Sequence, residues 1–179
     1  YIIYVGTLEP RKNLKGLLAA FSALKQRHRI RQQLVIAGMK GWGWEETFNL
    51  TEELGLKDDV IFTGYVPRDD INALYSFADL SAYPSFYEGA GLPVLEAFKC
   101  GCPVVTSNTS CMPEFAGGAA VLVDPYNPES IAEGIYSILS SGELRKDLVG
   151  KGLRRAAEFT WEKTARKMLD IFTGAREYA

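Results

Sequence analysis

Histidine is the scarcest residue here: the 179-residue chain contains one, His28. It falls at the far end of a predicted helix and reads as a surface residue. No histidine, cysteine or serine has a partner set for nucleophilic catalysis, so the chain lacks acid–base machinery of that kind. Cysteine is also sparse. Cys100, Cys102 and Cys111 are odd in number and follow neither a disulfide framework nor a zinc spacing. They read as small buried or half-buried thiols in a reducing compartment. No apolar run approaches the ~20 residues of a membrane span. A net charge of −2 leaves no basic surplus for nucleic acid. Gly-Lys-Ser/Thr is missing from every glycine-rich loop, and Gly89-Ala90-Gly91 lacks a third glycine at dinucleotide spacing, which argues against a P-loop nucleotidase and a hydride-transfer enzyme. There is no internal repeat, low-complexity segment or linker. The sequons at Asn49 and Asn108 read as chance. The chain opens on an apolar run, Tyr1-Ile2-Ile3-Tyr4-Val5, without methionine, which suggests a domain cut from a longer protein.

What is present is a 47% hydrophobic chain, long enough for one globular domain with a sizeable core. Short buried runs at Tyr1–Val5, Leu34–Gly38, Val60–Thr63, Leu80–Tyr83, Pro103–Thr106 and Ala120–Val123 predict six strands. Helical spacing alternates with them. Leu14, Leu17, Leu18, Phe21 and Leu24 mark a helix with Asn13 as its N-cap. Further helices are expected at Glu45–Leu54, Arg68–Ala78, after Pro93, and near Met112–Phe115. Three more follow in succession, about Pro128–Ser140, Glu143–Phe159 and Thr160–Thr173. The pattern is α/β: a Rossmann-like, doubly wound six-stranded parallel sheet with helices on both faces and extra C-terminal helices. Ligands of such sheets bind at the carboxyl ends of the strands, and every unusual loop of the chain falls there.

The most informative loop is Glu88-Gly89-Ala90-Gly91-Leu92-Pro93-Val94-Leu95-Glu96. Pro93 suits a first helical turn, and the free N–H groups of that turn form an anion site. Glu88 lies before the helix. Glu96 lies inside it, in an otherwise apolar stretch, where a carboxylate wants hydroxyl donors such as a ribose diol. Arg11 and Lys12 precede another helix N-terminus, where cations oppose the dipole unless a phosphate lies between. Together these residues measure out a sugar, a diphosphate and a ribose. The Gly64-Tyr65-Val66 corner offers backbone groups to a nucleobase or serves as an ordinary turn. Trp42 and Trp44, with Lys40, form an aromatic loop at the same edge, with packing an equal alternative.

These stretches resemble the C-terminal, donor-binding domain of a retaining GT-B glycosyltransferase of family 4, the glycosyl transferases group 1 type. Gly6-Thr7-Leu8-Glu9-Pro10-Arg11-Lys12-Asn13 is similar to the family's first loop, Glu88 to Ala97 to its E-x7-E motif, and Phe159-Thr160-Trp161 to the opening of its last helix. The resemblance covers essentially the whole chain. It implies one nucleotide-sugar-binding domain over residues 1–179, a fragment without the N-terminal acceptor-binding domain and inactive alone. It also implies Glu88 at the donor sugar, Glu96 at the ribose, Lys12 at phosphate, and Gly6, Thr7, Gly64, Val66, Gly89, Ala90, Gly91 and Leu92 around the donor. Thr7 departs from the arginine many members carry after the first glycine, and Arg11 is expected to take over its charge.

The resemblance further implies front-face transfer assisted by the leaving diphosphate, with no metal and no cofactor. The first loop leans toward GDP-mannose over a UDP-hexose. The expected partners are the nucleotide sugar and the N-terminal domain. The expected location is cytoplasmic, with any contact to the cytoplasmic membrane face made through the missing half. The last helix is expected to pack on that half, leaving apolar surface exposed here. A non-catalytic sugar-nucleotide or interaction module, and a GT-B epimerase or phosphorylase, remain the alternative readings.

Overall fold

The computed structural model describes residues 1–175. Six short strands, β1 (Ile2–Val5), β2 (Leu34–Ala37), β3 (Val60–Gly64), β4 (Leu80–Tyr83), β5 (Val104–Ser107) and β6 (Val121–Val123), form one parallel sheet. β1, β2, β4 and β5 are almost entirely buried, which is why they read as continuous apolar runs rather than alternating ones. The order is β3-β2-β1-β4-β5-β6. The winding reverses between β1 and β4, so a crevice opens beyond their carboxyl ends.

Helices α1 (Leu14–His28), α2 (Trp44–Glu53), α3 (Arg68–Phe77), α4 (Leu92–Lys99), α5 (Met112–Ala116), α6 (Pro128–Ser140), α7 (Gly142–Ala157) and α8 (Trp161–Ala175) complete the chain. α1 packs against α2 and α6, while α4 packs against α3 and α7. The strand and helix boundaries agree with the sequence reading to within two residues. One element differs: Pro10–Lys12, expected as loop, is a 3-10 turn. Three residues carry no periodic signal, and Pro10 merely pre-sets the first φ.

Asn13 ties this turn to the sheet. Its backbone is left-handed, φ 58°, a conformation asparagine tolerates. Its side-chain oxygen accepts from Gly16 N–H at 3.2 Å, capping α1. Its amide donates to Pro84 O at 2.9 Å, after β4, and to Pro125 O at 2.7 Å, after β6. Asn13→Asp keeps the cap and the backbone preference but sets a carboxylate against two buried carbonyls. The expected cost is on the order of 3 kcal/mol, from two lost bonds and two unsatisfied acceptors. Thermal denaturation should show Tm lower by about 6–12 °C; an unchanged Tm would refute the stitching role.

The β1 and β2 loops approach so closely that a Cβ on Gly38 would lie 1.9 Å from Gly6 O. Only glycine fits there. At the other end of the chain, every residue of α8 from Trp161 to Thr173 is exposed, although Trp161, Met168 and Phe172 share one apolar face. The exposure expected of this helix is present. None of the described helices is long and apolar enough to cross a membrane.

Candidate functional site

Parallel pairing of β1 with β4 sets their exit loops side by side. The turn Pro10–Lys12 and the segment 84–88 are then sewn together by Phe86 N–H, which donates to Arg11 O at 3.0 Å. This brings Arg11, Lys12 and Glu88 into one cluster. Lys12 Nζ lies 2.7 Å from Glu88 Oε1, and Arg11 Nη1 lies 2.8 Å from Oε2. The sequence placed all three at this edge. It treated the cations as phosphate ligands and the carboxylate as a sugar ligand, and did not foresee that they pair with one another.

The two carboxylate oxygens differ. Oε1 accepts from Lys12, from Tyr83 OH at 2.8 Å and from Ser85 Oγ at 2.8 Å. Oε2 accepts from Arg11 alone among the described residues. Side-chain exposure is 7% for Glu88, 12% for Lys12 and 41% for Arg11. So Oε1 is saturated and held within the protein, whereas Oε2 has a single, more exposed partner. Burial pushes the Glu88 carboxyl up, but the hydrogen bonds from Lys12, Arg11, Ser85 and Tyr83 outweigh it and hold the pKa below the ordinary value. The stability this pairing supplies is therefore full above the unfolded-state pKa and lost as pH falls through the lower folded one. The hydrogen bond to Glu88 outweighs the opposing effect of burial and raises Arg11 above its usual value.

Beyond Glu88, Gly89 and Ala90 are exposed, Gly91 is buried and Leu92 is exposed. A Cβ on Gly91 would lie 3.0 Å from Phe115, so the loop is pressed against α5. The N-cap of α4 carries no side-chain bond, and Val94 and Leu95 N–H turn back to Gly91 O. Among the described residues no acceptor takes the N–H of Ala90, Gly91 or Leu92. Unpaired N–H groups at the N-terminal end of a helix, two to four residues after Glu88, suit an anion.

Glu96 is half-buried one turn into α4. Burial pushes its carboxyl up, partly offset by Arg68 and Lys99. Its carboxylate has no hydrogen bond or ion pair among the described residues. Gly6 and half-buried Thr7 leave β1 at the crevice, with Thr7 O accepting from Tyr4 OH at 3.3 Å. Gly64 ends β3 with φ 70°. Its carbonyl already accepts from Gly38 N–H at 2.9 Å and from Thr63 Oγ1 at 3.0 Å. The Gly64 oxygen is thus already engaged, while Tyr65 is exposed and Val66 half-buried. In the aromatic loop, Lys40 Nζ sits 3.7 Å from the Trp44 ring centre, so Trp44 is packed, while Trp42 is exposed. His28 is exposed and stacks on Tyr136, far from the site.

The sequence missed Tyr83, Ser85 and Ser110, whose Oγ accepts the Glu88 N–H at 3.2 Å. Tyr83 was legible only as the last residue of a buried strand, yet a polar-tipped residue there points its tip at the ligand edge.

A model of the family described as glycosyl transferases group 1 matches residues 1–155. The chain belongs to this family. Among curated relatives, the O-antigen chain mannosyltransferase B of Escherichia coli is 38% identical over 172 residues, 96% of this chain and 45% of that enzyme. The D-inositol 3-phosphate glycosyltransferase of Salinispora tropica is 35% identical, over 96% of this chain and 37% of that enzyme. The sucrose-phosphate synthase of Thermosynechococcus elongatus superposes with a TM-score of 0.87 at 28% identity, covering 99% of this chain and 46% of that structure. This group 1 chain thus spans less than half the length of these relatives.

Proposed function

We propose that this group 1 chain is the donor-binding half of a retaining glycosyltransferase that moves a hexose from a nucleotide diphosphate sugar to a glycan, lipid or small-molecule acceptor. The observation that carries the reading is the Arg11–Lys12–Glu88 cluster at the β1/β4 crevice, followed in the chain by three N–H groups of the α4 entrance without an acceptor among the described residues. The diphosphate lies between the two cations and the α4 N-terminus. Incoming phosphate oxygens compete with Glu88 for Arg11, the more exposed cation. As Arg11 leaves, Oε2 becomes free to accept a hydroxyl of the donor sugar. The ribose diol reaches Glu96, the one carboxylate at the crevice without a protein partner among the described residues.

In the transfer step the bond from the sugar's anomeric carbon to the diphosphate oxygen breaks, and a bond to the acceptor oxygen forms on the same face. The acceptor's proton passes to the departing phosphate oxygen. Lys12, Arg11 and the α4 dipole stabilise the charge that develops there, so the reading requires no metal. Mannose carried by GDP is the donor we favour, supported by the first-loop sequence and by the mannosyltransferase relative. The acceptor and the remaining contacts come from an N-terminal domain outside this chain. Turnover of the full-length enzyme with GDP-mannose, UDP-glucose and UDP-galactose tests the assignment: release of GDP with mannosyl product supports it, and transfer from none of the three refutes it.

Glu96 gives a prediction with two signs. Because burial raises its folded-state pKa, ionised Glu96 detracts from stability at neutral pH, and that loss is relieved as pH falls through the raised folded pKa. Glu96→Gln should leave Tm equal or higher at pH 7 while weakening nucleotide binding about 10- to 100-fold, the worth of charge-assisted bonds to a diol. Calorimetric titration and thermal denaturation of the same variant check both signs. A lower Tm with unchanged affinity would remove Glu96 from the site.

A further inference from the structure

Tyr83 ends β4 with its side chain almost fully buried, at 1% exposure. Its ring stacks on Tyr4 at 5.6 Å between centres and 17° between planes, which fixes where the hydroxyl points. That hydroxyl lies 2.5 Å from Lys12 Nζ and 2.8 Å from Glu88 Oε1. Lys12 Nζ also sits 5.2 Å from the ring centre. An ammonium has no acceptor and a carboxylate no donor, so the directions are fixed: Lys12 donates to Tyr83, and Tyr83 donates to Glu88.

We propose that Tyr83 is a positioning residue of the donor site, holding Lys12 where the leaving phosphate arrives and pinning Glu88 Oε1 so that only Oε2 turns to the sugar. This rests on the donor-site reading above. Tyr83 is built for that task because burial keeps its hydroxyl protonated, pushing its pKa up far beyond the ordinary tyrosine range. It therefore stays a neutral donor at every working pH. Nor is the hydroxyl needed to satisfy the fold. Without it, Oε1 still accepts from Lys12 and Ser85, and Lys12 still reaches Glu88. What disappears is the third point that triangulates the ammonium and the carboxylate. A displacement of about 1 Å at such a centre is worth up to about 100-fold in rate.

The groups facing Glu88 are Arg11 and Lys12 on the 3-10 turn, Tyr83 at the end of β4, Tyr4 on β1, and Cys111 before α5, with Glu9 acting on Arg11. The Tyr83 hydrogen bond helps hold the Glu88 carboxyl low. Its loss raises that pKa, so activity that needs the Glu88 carboxylate fails at a higher pH on the acid side.

The test is Tyr83→Phe in the full-length enzyme, which keeps the stack on Tyr4. The expected result is kcat lower by about 10- to 100-fold, with a smaller change in donor KM. The acid limb of the pH–rate profile should move to higher pH, with Tm within about 3 °C of wild type. Ser85→Ala removes the other neutral donor to Oε1 without touching the aromatic stack, and should move the limb in the same direction. It decides the matter if Tyr83→Phe does not fold. Wild-type kcat, or a fall in kcat with the limb unmoved in every variant that folds, overturns the proposal. If Glu88→Gln also retains full turnover, the donor-site reading fails as well. If only the Tyr83 and Ser85 variants are silent, the positioning role alone is wrong.

Discussion

Glu88→Gln is expected to lower turnover by about 100-fold or more, while affinity for the bare nucleotide diphosphate holds or rises. The two effects diverge because Glu88 does two things. In the free protein it neutralises Arg11 and Lys12 through contacts of 2.8 and 2.7 Å. A diphosphate must compete with it for those cations, so removing its charge frees them. In the proposed donor site Glu88 is the acceptor that orients the anomeric carbon, and an amide of the same shape cannot take its place without turning a donor toward one of its present donors. Calorimetry with GDP and UDP beside turnover of the nucleotide sugar separates the two. A variant that loses diphosphate binding in step with turnover would show that Glu88 only supports the loop.

Lys12→Ala should fail in the opposite sense, losing both affinity and rate. Lys12 is the less exposed cation, fixed between Glu88 and Tyr83 before any ligand arrives, so its charge is preorganised. Preorganised donors aimed at developing charge are worth about 10²- to 10³-fold in rate. The expected fall in kcat lies in that range. Arg11→Ala should cost less, since Arg11 must first leave Glu88 Oε2 and the Tyr87 carbonyl, 2.6 Å away, before it reaches phosphate. Steady-state kinetics of the two variants ranks them. Arg11→Ala proving the more damaging would reverse the roles assigned to the two cations.

The sheet was readable from sequence because its signals are local. Four-residue apolar runs such as Leu34–Ala37 are strands buried on both faces, and Pro93 and Asn13 mark helix starts whatever surrounds them. Arg11, Lys12 and Glu88 were readable as well, because cations before a helix and a carboxylate in a glycine loop contradict ordinary local preferences. Their pairing was not, because it depends on the register of β1 against β4. For the same reason Asn13 was legible as a cap but not as the donor to Pro84 and Pro125, which lie 71 and 112 positions away. Tyr83 looked like one more apolar strand residue, since spacing reports which face a ring occupies and not what its hydroxyl meets. The spacing in α8 marks an apolar face without saying what covers it.

The most direct test of the central claim is calorimetric titration of the protein with GDP and with UDP, repeated on Lys12→Ala. At least one of the two should bind with a Kd at or below about 1 mM, and Lys12→Ala should weaken it by about tenfold or more. Binding of neither nucleotide at about 1 mM, or binding indifferent to Lys12, would contradict the claim.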